Sequence, residues 1–164
     1  MLTKHSYEQL TNKSDGYLSI KRYCTEQNID STSLMPQTCV FRRIPQSGSE
    51  LRKKRRQAMF SNELNRLIEL FNKEKKKSSR NVWIVKPDEG HCGEDIELFD
   101  DIKSLEDSVR DMTQKCGAVV QKYVERPLTV EGNRKFDIRA WVCVTSDFRV
   151  GLYREGVLRT LLYH

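Results

Sequence analysis

The sequence predicts an α+β fold, a mainly antiparallel sheet with flanking helices, and three observations carry that expectation. Between Lys135 and Val144 the residues alternate, with Phe136, Ile138, Ala140, Val142 and Val144 on one face and Lys135, Asp137, Arg139, Trp141 and Cys143 on the other. That is the period of a strand with one oily face. Phe60, Leu64, Leu67, Ile68 and Phe71 recur at helical spacing, which predicts a helix over about 50–72 with a single buried stripe. Two short apolar runs, Val82–Val85 and Ile96–Phe99, flank a turn-rich segment and read as a hairpin with a long tip.

Taken in order, residues 16–27 read as a helix whose apolar content is Leu18, Ile20 and Tyr23, followed by a Ser/Thr-rich link. Pro36 fixes the backbone and keeps its neighbour extended, so 35–41 reads as a short strand. Ser49 stands where it can cap the 50–72 helix, and 73–80 is a charged linker. The strand after it stops at Lys86-Pro87. Ser104 is the expected cap of a helix carrying Leu105, Val109 and Met112, closed by Gly117. Strands follow at 119–124, 135–144, 148–153 and 157–162, with a turn at Glu155-Gly156. The expected division is an N-terminal helical and basic segment with a short strand over 1–80, and a second domain over 81–164.

Hydrophobic residues make up 37% of the chain and charged ones 32%, a polar balance beside the roughly 45–50% apolar content of an ordinary soluble domain. No apolar run approaches the roughly 18 residues of a membrane span, and the opening residues resemble neither a secretory signal nor a transit peptide. An intracellular protein is expected. Cysteines 24, 39, 92, 116 and 143 are scattered, odd in number and without a C-x-x-C pair, so they read as reduced thiols with no zinc site. Of the net charge of +6, the stretch 42–80 alone carries +9, from thirteen Lys and Arg against four Glu, which leaves −3 elsewhere. Such a basic stretch attracts nucleic acid, anionic lipid or acidic protein tails by the same field.

Lys135, Asp137 and Arg139 stand at i, i+2 and i+4 of one strand face, close enough to converge on one ligand. The plainer alternative is an ion pair on a solvated sheet face. Neighbouring motifs favour the first reading. Trp-Ile-Val-Lys-Pro (83–87), a glycine-containing loop, Val-Val-Gln-Lys-Tyr-Val-Glu-Arg-Pro-Leu (119–128), Lys-Phe-Asp-Ile-Arg (135–139) and Arg-Glu-Gly-Val-Leu-Arg-Thr (154–160) follow in this order. The series resembles the successive motifs of the tubulin–tyrosine ligase-like enzymes, closely over 82–160 and loosely over 34–72.

The resemblance implies a partial ATP-grasp fold that uses ATP and magnesium. The implied enzyme is an ATP-dependent ligase joining glycine, glutamate or tyrosine to a glutamate-rich tail, tubulin's foremost, through an acyl phosphate, in the manner of a polyglycylase or polyglutamylase. Lys86 would contact the nucleotide phosphates, while Gln121 and Lys122 with the backbone at Tyr123 and Val124 would hold adenine. Lys135 and Asp137 would face the ribose and phosphates. Arg139 and Arg159 would reach the terminal phosphate or the acidic substrate, which makes them the candidate catalytic residues. Fixed cations suit phosphates, and an edge of backbone amide and carbonyl in an apolar slot suits adenine. The partners implied are tubulin or another acidic tail and a free amino acid, with no membrane, no nucleic acid and a monomeric state. The place implied is the cytoplasm and its cytoskeleton, cilia included.

Two departures from the family pattern stand out. Where the family has an Arg-Gly-x-Gly-Ile-like loop over the phosphates, this chain has Cys92-Gly93-Glu94-Asp95-Ile96, and acids beside phosphate oxygens repel them. The magnesium ligands of the family lie well past the arginine block, so they are expected beyond His164, and the chain, read as truncated, is expected to be inactive alone. These departures favour an alternative, a non-catalytic module for microtubules or another acidic partner on the same scaffold. A protein kinase is disfavoured because H-R-D, D-F-G and G-x-G-x-x-G are missing. A nucleic-acid binder would rest on Arg52–Arg56 alone, with no RNP or C₂H₂ pattern beside it.

Overall fold

The computed structural model describes residues 12–45, 47–77, 80–90 and 93–160, which form two compact units, 12–123 and 124–160. Helices and antiparallel strands make up both the observed structure and the predicted α+β class. The first unit runs α1 (Lys13–Glu26), β1 (Thr38–Phe41), α2 (Glu50–Lys75), β2 (Trp83–Pro87), β3 (Glu97–Phe99), α3 (Ile102–Lys115) and β4 (Ala118–Lys122). Its strands form one antiparallel sheet in the order β1-β4-β2-β3. The boundary expected near residue 80 falls inside this unit, because β1 is hydrogen-bonded to β4 and α2 packs on the same sheet.

Alternation decides which side of the sheet is buried. Cys39 and Phe41, Trp83 and Val85, and Ala118 and Val120 share one face, and there they meet Phe60, Leu64, Leu67 and Phe71 of α2 with Leu105 and Val109 of α3. The indole N–H of buried Trp83 donates to Asn81 Oδ1 at 3.0 Å, and the Asn81 amide donates to the Phe71 carbonyl at 3.0 Å. The core thus closes around a polar edge that is already satisfied. The other face carries Thr38 and Val40, Ile84 and Lys86, and Val119 and Gln121, paired by register.

Helix ends follow local chemistry, with some differences from expectation. Ser49 caps α2, its hydroxyl accepting from the Arg52 N–H at 3.4 Å. The cap of α3 is Asp101, not Ser104: its carboxylate accepts the Ser104 N–H at 2.9 Å, an acid at a helix N-terminus being the stronger cap. Helix α1 begins at Lys13 behind Asn12 and buries Ser14, Tyr17 and Cys24. Leu18, Ile20 and Tyr23, the expected apolar content, are exposed instead, because a helix this polar hides whichever side meets the sheet rather than a dominant stripe. Gly117 is not a left-handed cap. A Cβ there would meet Asp88 Oδ2 at 2.9 Å and the Phe41 carbonyl oxygen at 3.0 Å, so glycine serves close packing.

The second unit contains β5 (Thr129–Val130), β6 (Arg134–Arg139), β7 (Val142–Val144), β8 (Val150–Leu152) and β9 (Val157–Thr160). Strands β5-β6-β9 form one sheet, and β7-β8 a separate hairpin. The single strand expected over 135–144 is therefore two. Its first part pairs with β9 through Phe136↔Thr160 to Arg139↔Val157, and its second with β8 through Val142↔Leu152 to Val144↔Val150. Gly156 lets the chain pass between these ladders, since a Cβ there would stand 3.1 Å from the Arg139 carbonyl oxygen. The apolar side of β6 and β7, expected to be buried, is open: Ile138 is 65% exposed and Val142 60%. Phe148, expected within a strand, sits in the hairpin turn at φ 61°. Residues 161 and 162 of the last expected strand, and Cys92 of the loop, lie outside the described residues.

Candidate functional site

The first unit holds Lys86, Gln121, Lys122 and Tyr123. Ile84 pairs with Gln121 and Lys86 with Val119, which sets Lys86 diagonally across from Gln121 on the same face. The Lys86 ammonium donates to Gln121 Oε1 at 2.8 Å, Gln121 Nε2 donates to Thr38 Oγ1 at 2.9 Å, and that hydroxyl donates to the Pro36 carbonyl at 2.8 Å. A polar row thus crosses three strands in an otherwise apolar face, ending in a cation. Thr38 was not among the predicted residues. Only its cross-strand register reveals it, and a sequence shows no register.

Lys122 alternates away from this row. It pairs with Trp83, and its ammonium turns back onto the Val82 carbonyl at 3.1 Å. The Tyr123 N–H, one of the backbone groups assigned to adenine, donates to the Val82 carbonyl at 3.0 Å, and the Lys122 N–H to the Gln37 carbonyl at 2.9 Å. The Gln37 side chain turns to α2. Its Nε2 donates to Glu74 Oε1 at 3.1 Å, while its buried Oε1 has no hydrogen-bond partner.

Asp88, directly after the Lys86-Pro87 strand end, is another residue that sequence reasoning left in a loop. It is buried, and its Oδ1 accepts the Ser14 N–H at 2.9 Å at the start of α1. Arg42 Nη1 approaches Oδ2 at 3.7 Å while its Nη2 pairs with Asp15, and the Asp88 N–H donates to the Gly117 carbonyl at 2.8 Å. The root of the 88–95 loop is therefore pinned to α1, to the segment after β1 and to the start of β4. Farther along, Gly93 and Asp95 both adopt positive φ, 81° and 56°. Asp95 thus occupies the backbone region that glycine favours.

The second unit holds Val124, Lys135, Asp137, Arg139 and Arg159. Alternation places Lys135, Asp137 and Arg139 on one face of β6, and the register Asp137↔Arg159 brings Arg159 to the same face. Arg159 Nε donates to Asp137 Oδ1 at 2.6 Å and Nη2 to Oδ2 at 2.9 Å, a bidentate pair. Those hydrogen bonds, with the carboxylate charge, raise the guanidinium pKa above its ordinary value. Both side chains are exposed. Among the described residues no group of three or more His, Cys, Asp and Glu side chains is placed to hold a metal ion, and no described helix is long and apolar enough to cross a membrane.

Comparison with known proteins gives this geometry a context. The profile of the Tubulin-tyrosine ligase family matches residues 11–161. Tubulin glycylase 3B of Tetrahymena thermophila is 36% identical over 114 residues, 61% of this chain and 9% of its own length. Tubulin glycylase 3E of the same organism is 42% identical over 82 residues, 46% of this chain and 6% of its own length. Tubulin monoglycylase TTLL3 of Homo sapiens is 40% identical over 85 residues, 49% of this chain and 11% of its own length. The chain therefore spans no more than 11% of the length of these curated relatives. With a match that runs through both units and nearly the whole sequence, the chain belongs to the tubulin-tyrosine ligase family, whose fold is ATP-grasp-like.

Proposed function

We propose that this chain is part of an ATP-dependent ligase that joins an amino acid to the glutamate-rich tail of tubulin or another acidic protein, with glycine the favoured amino acid. The family match supports the ligase class, and the glycylase names of the relatives favour glycine over glutamate or tyrosine. Bound ATP would supply the phosphoryl group that converts a substrate carboxylate into an acyl phosphate open to attack by an amine.

The donor set suits a nucleotide. In this reading Lys86 supplies a fixed cation for phosphate oxygens, oriented through Gln121 and Thr38, so that charge is placed before the ligand arrives. In the first unit Lys122 and the Tyr123 backbone are assigned to adenine; in the second, taken by itself, Val124 is assigned to adenine, Lys135 and Asp137 to the ribose and phosphates, and Arg139 and Arg159 to the terminal phosphate or the acidic substrate. Magnesium would accompany ATP, but the described residues offer no set of donors for it, and none is assigned. The cytoskeleton is the proposed place of action.

A second reading, a non-catalytic module for an acidic partner, is favoured by the closed Asp137–Arg159 pair and by Asp95 in the phosphate loop. One experiment separates the two. Because the chain alone is expected to be inactive, the longer protein of which it is proposed to be part is incubated with ATP, magnesium, tubulin and labelled glycine, glutamate or tyrosine, with Lys86→Ala as control. ATP-dependent glycine incorporation above the control supports the ligase, and microtubule retention without incorporation supports the module.

A further inference from the structure

Asp88 stands two residues beyond Lys86, where β2 has ended and the loop begins. A free acid at the root of a loop expected to fold over phosphates would repel them. This acid is not free. Its side chain is buried, and its Oδ1 accepts the Ser14 N–H at 2.9 Å, one of the first-turn donors of α1 that has no partner inside the helix. Asn12 Oδ1 accepts the neighbouring Asp15 N–H at 3.1 Å, so the start of α1 is shared between its own cap and an acid 74 residues away in the chain.

Arg42 closes the arrangement from the segment after β1. Its Nη1 stands 3.7 Å from Asp88 Oδ2 and donates to Ser14 Oγ at 3.3 Å, while its Nη2 pairs with Asp15. One guanidinium fork thus spans two carboxylates, a geometry that a lysine ammonium does not reproduce. The backbone is held as well: the Asp88 N–H donates to the Gly117 carbonyl at 2.8 Å, and Lys13 Nζ donates to the Gly90 carbonyl at 3.4 Å. Residues 88 and 90 are both tied to the first turn of α1, a helix that none of the motifs read from the sequence includes.

We infer that Asp88 is a positioning residue for the nucleotide: by clasping α1 and Arg42 it sets the direction in which the chain leaves β2, and so keeps Lys86 and the loop root placed for phosphate. This role rests on the ligase reading, in which Lys86 serves phosphate. Asp88 acts through the backbone rather than by touching the ligand, because one carboxylate oxygen is turned to Ser14 and the other to Arg42. The two possible roles of the acid differ in sign. Neutralising a repelling acid strengthens ATP binding, whereas neutralising a clasp weakens it.

The test measures ATP and adenosine affinities, by competition against a fluorescent ATP analogue, on the longer protein of which the chain is proposed to be part. Asp88→Ala is expected to weaken ATP at least about tenfold, while adenosine, which has no phosphate to misplace, changes by less than about twofold. Asp88→Asn keeps an acceptor for Ser14 and loses the charge facing Arg42; Arg42→Lys keeps the charge and loses the fork. Each should weaken ATP at least about threefold, and these milder variants carry the test if Asp88→Ala does not fold. Val109→Ala opens the core elsewhere, and should lower Tm yet leave both affinities as in the parent, which separates placement from stability. Lys86→Ala checks the ligase reading: parent-like ATP affinity there would overturn the nucleotide site and the role of Asp88 with it. Where Lys86→Ala does lose ATP, unchanged or raised ATP affinity in the Asp88 and Arg42 variants, or equal losses of ATP and adenosine, would overturn the clasp alone.

Discussion

Lys86 Nζ and Gln121 Oε1 meet at 2.8 Å across neighbouring strands, and Gln121 is itself fixed by Thr38 at 2.9 Å. The ammonium is thus oriented by the sheet rather than by a loop, which favours precise placement of charge. If Lys86 serves phosphate, Lys86→Ala should lower affinity for a fluorescent ATP analogue by at least about tenfold, or ~1.4 kcal/mol, with little change in Tm. Gln121→Leu should give a smaller loss, because the cation remains while one of its acceptors is gone. Equal affinity of all three proteins would remove Lys86 from the nucleotide site.

Gly117→Ala tests the pinned loop root. The added methyl would meet the Phe41 carbonyl at 3.0 Å and Asp88 at 2.9 Å, and a backbone carbonyl inside a paired strand gives way poorly. Overpacking of this kind costs about 1–3 kcal/mol. Urea unfolding should show that loss, whereas Gly151→Ala, with nothing within 4 Å of its new methyl, should stay within about 0.5 kcal/mol. A neutral Gly117→Ala would mean that the Asp88 junction yields freely.

What could be read from the sequence divides along physical lines. The α2 stripe of Phe60, Leu64, Leu67 and Phe71 is buried as spaced, because helical periodicity needs no knowledge of partners. The grouping of Lys135, Asp137 and Arg139 on one face likewise follows from alternation alone. Register does not. Thr38 opposite Gln121, and Arg159 opposite Asp137, depend on strands far apart in the chain. The break at Ala140 was illegible for the same reason, since continuous alternation hides a change of partner strand.

Cys39 gives a prediction with a definite sign. Burial, and then the nearby Glu63 carboxylate, push its thiol pKa up to about 12, against about 8.5 for an unperturbed cysteine. Below about pH 8.5 both folded and unfolded thiols are protonated, and the contribution to stability is fully present. As pH rises toward 12 the unfolded thiol ionises first, so stability is lost. Cys39→Ala should therefore lose less stability between pH 8 and 10 than the parent, by roughly the linkage of one proton. In the folded protein, iodoacetamide at pH 8 should label exposed Cys143 and spare Cys39, as peptide mass spectrometry can read. Rapid labelling of Cys39 would show that the β1–α2 seam opens readily.

The Asp137–Arg159 pair decides whether the charged face of β6 is structure or machinery. Its bidentate geometry satisfies both partners, yet both are more than half exposed, where an ion pair contributes little to stability. A purely structural pair should therefore tolerate Arg159→Gln or Asp137→Asn with nearly unchanged unfolding. A ligand-binding pair should respond differently, because Arg159 would have to turn its guanidinium toward substrate when one arrives. The swap Asp137→Arg with Arg159→Asp keeps the cross-strand attraction but exchanges the positions of cation and anion. Expected are parent-like unfolding for the swap and, in the glycine-incorporation assay, a loss of at least about a hundredfold, the scale on which misplaced transition-state charge is felt. Full incorporation by the swapped protein would assign Asp137 and Arg159 to the sheet alone and leave Arg139 as the remaining catalytic candidate on that face.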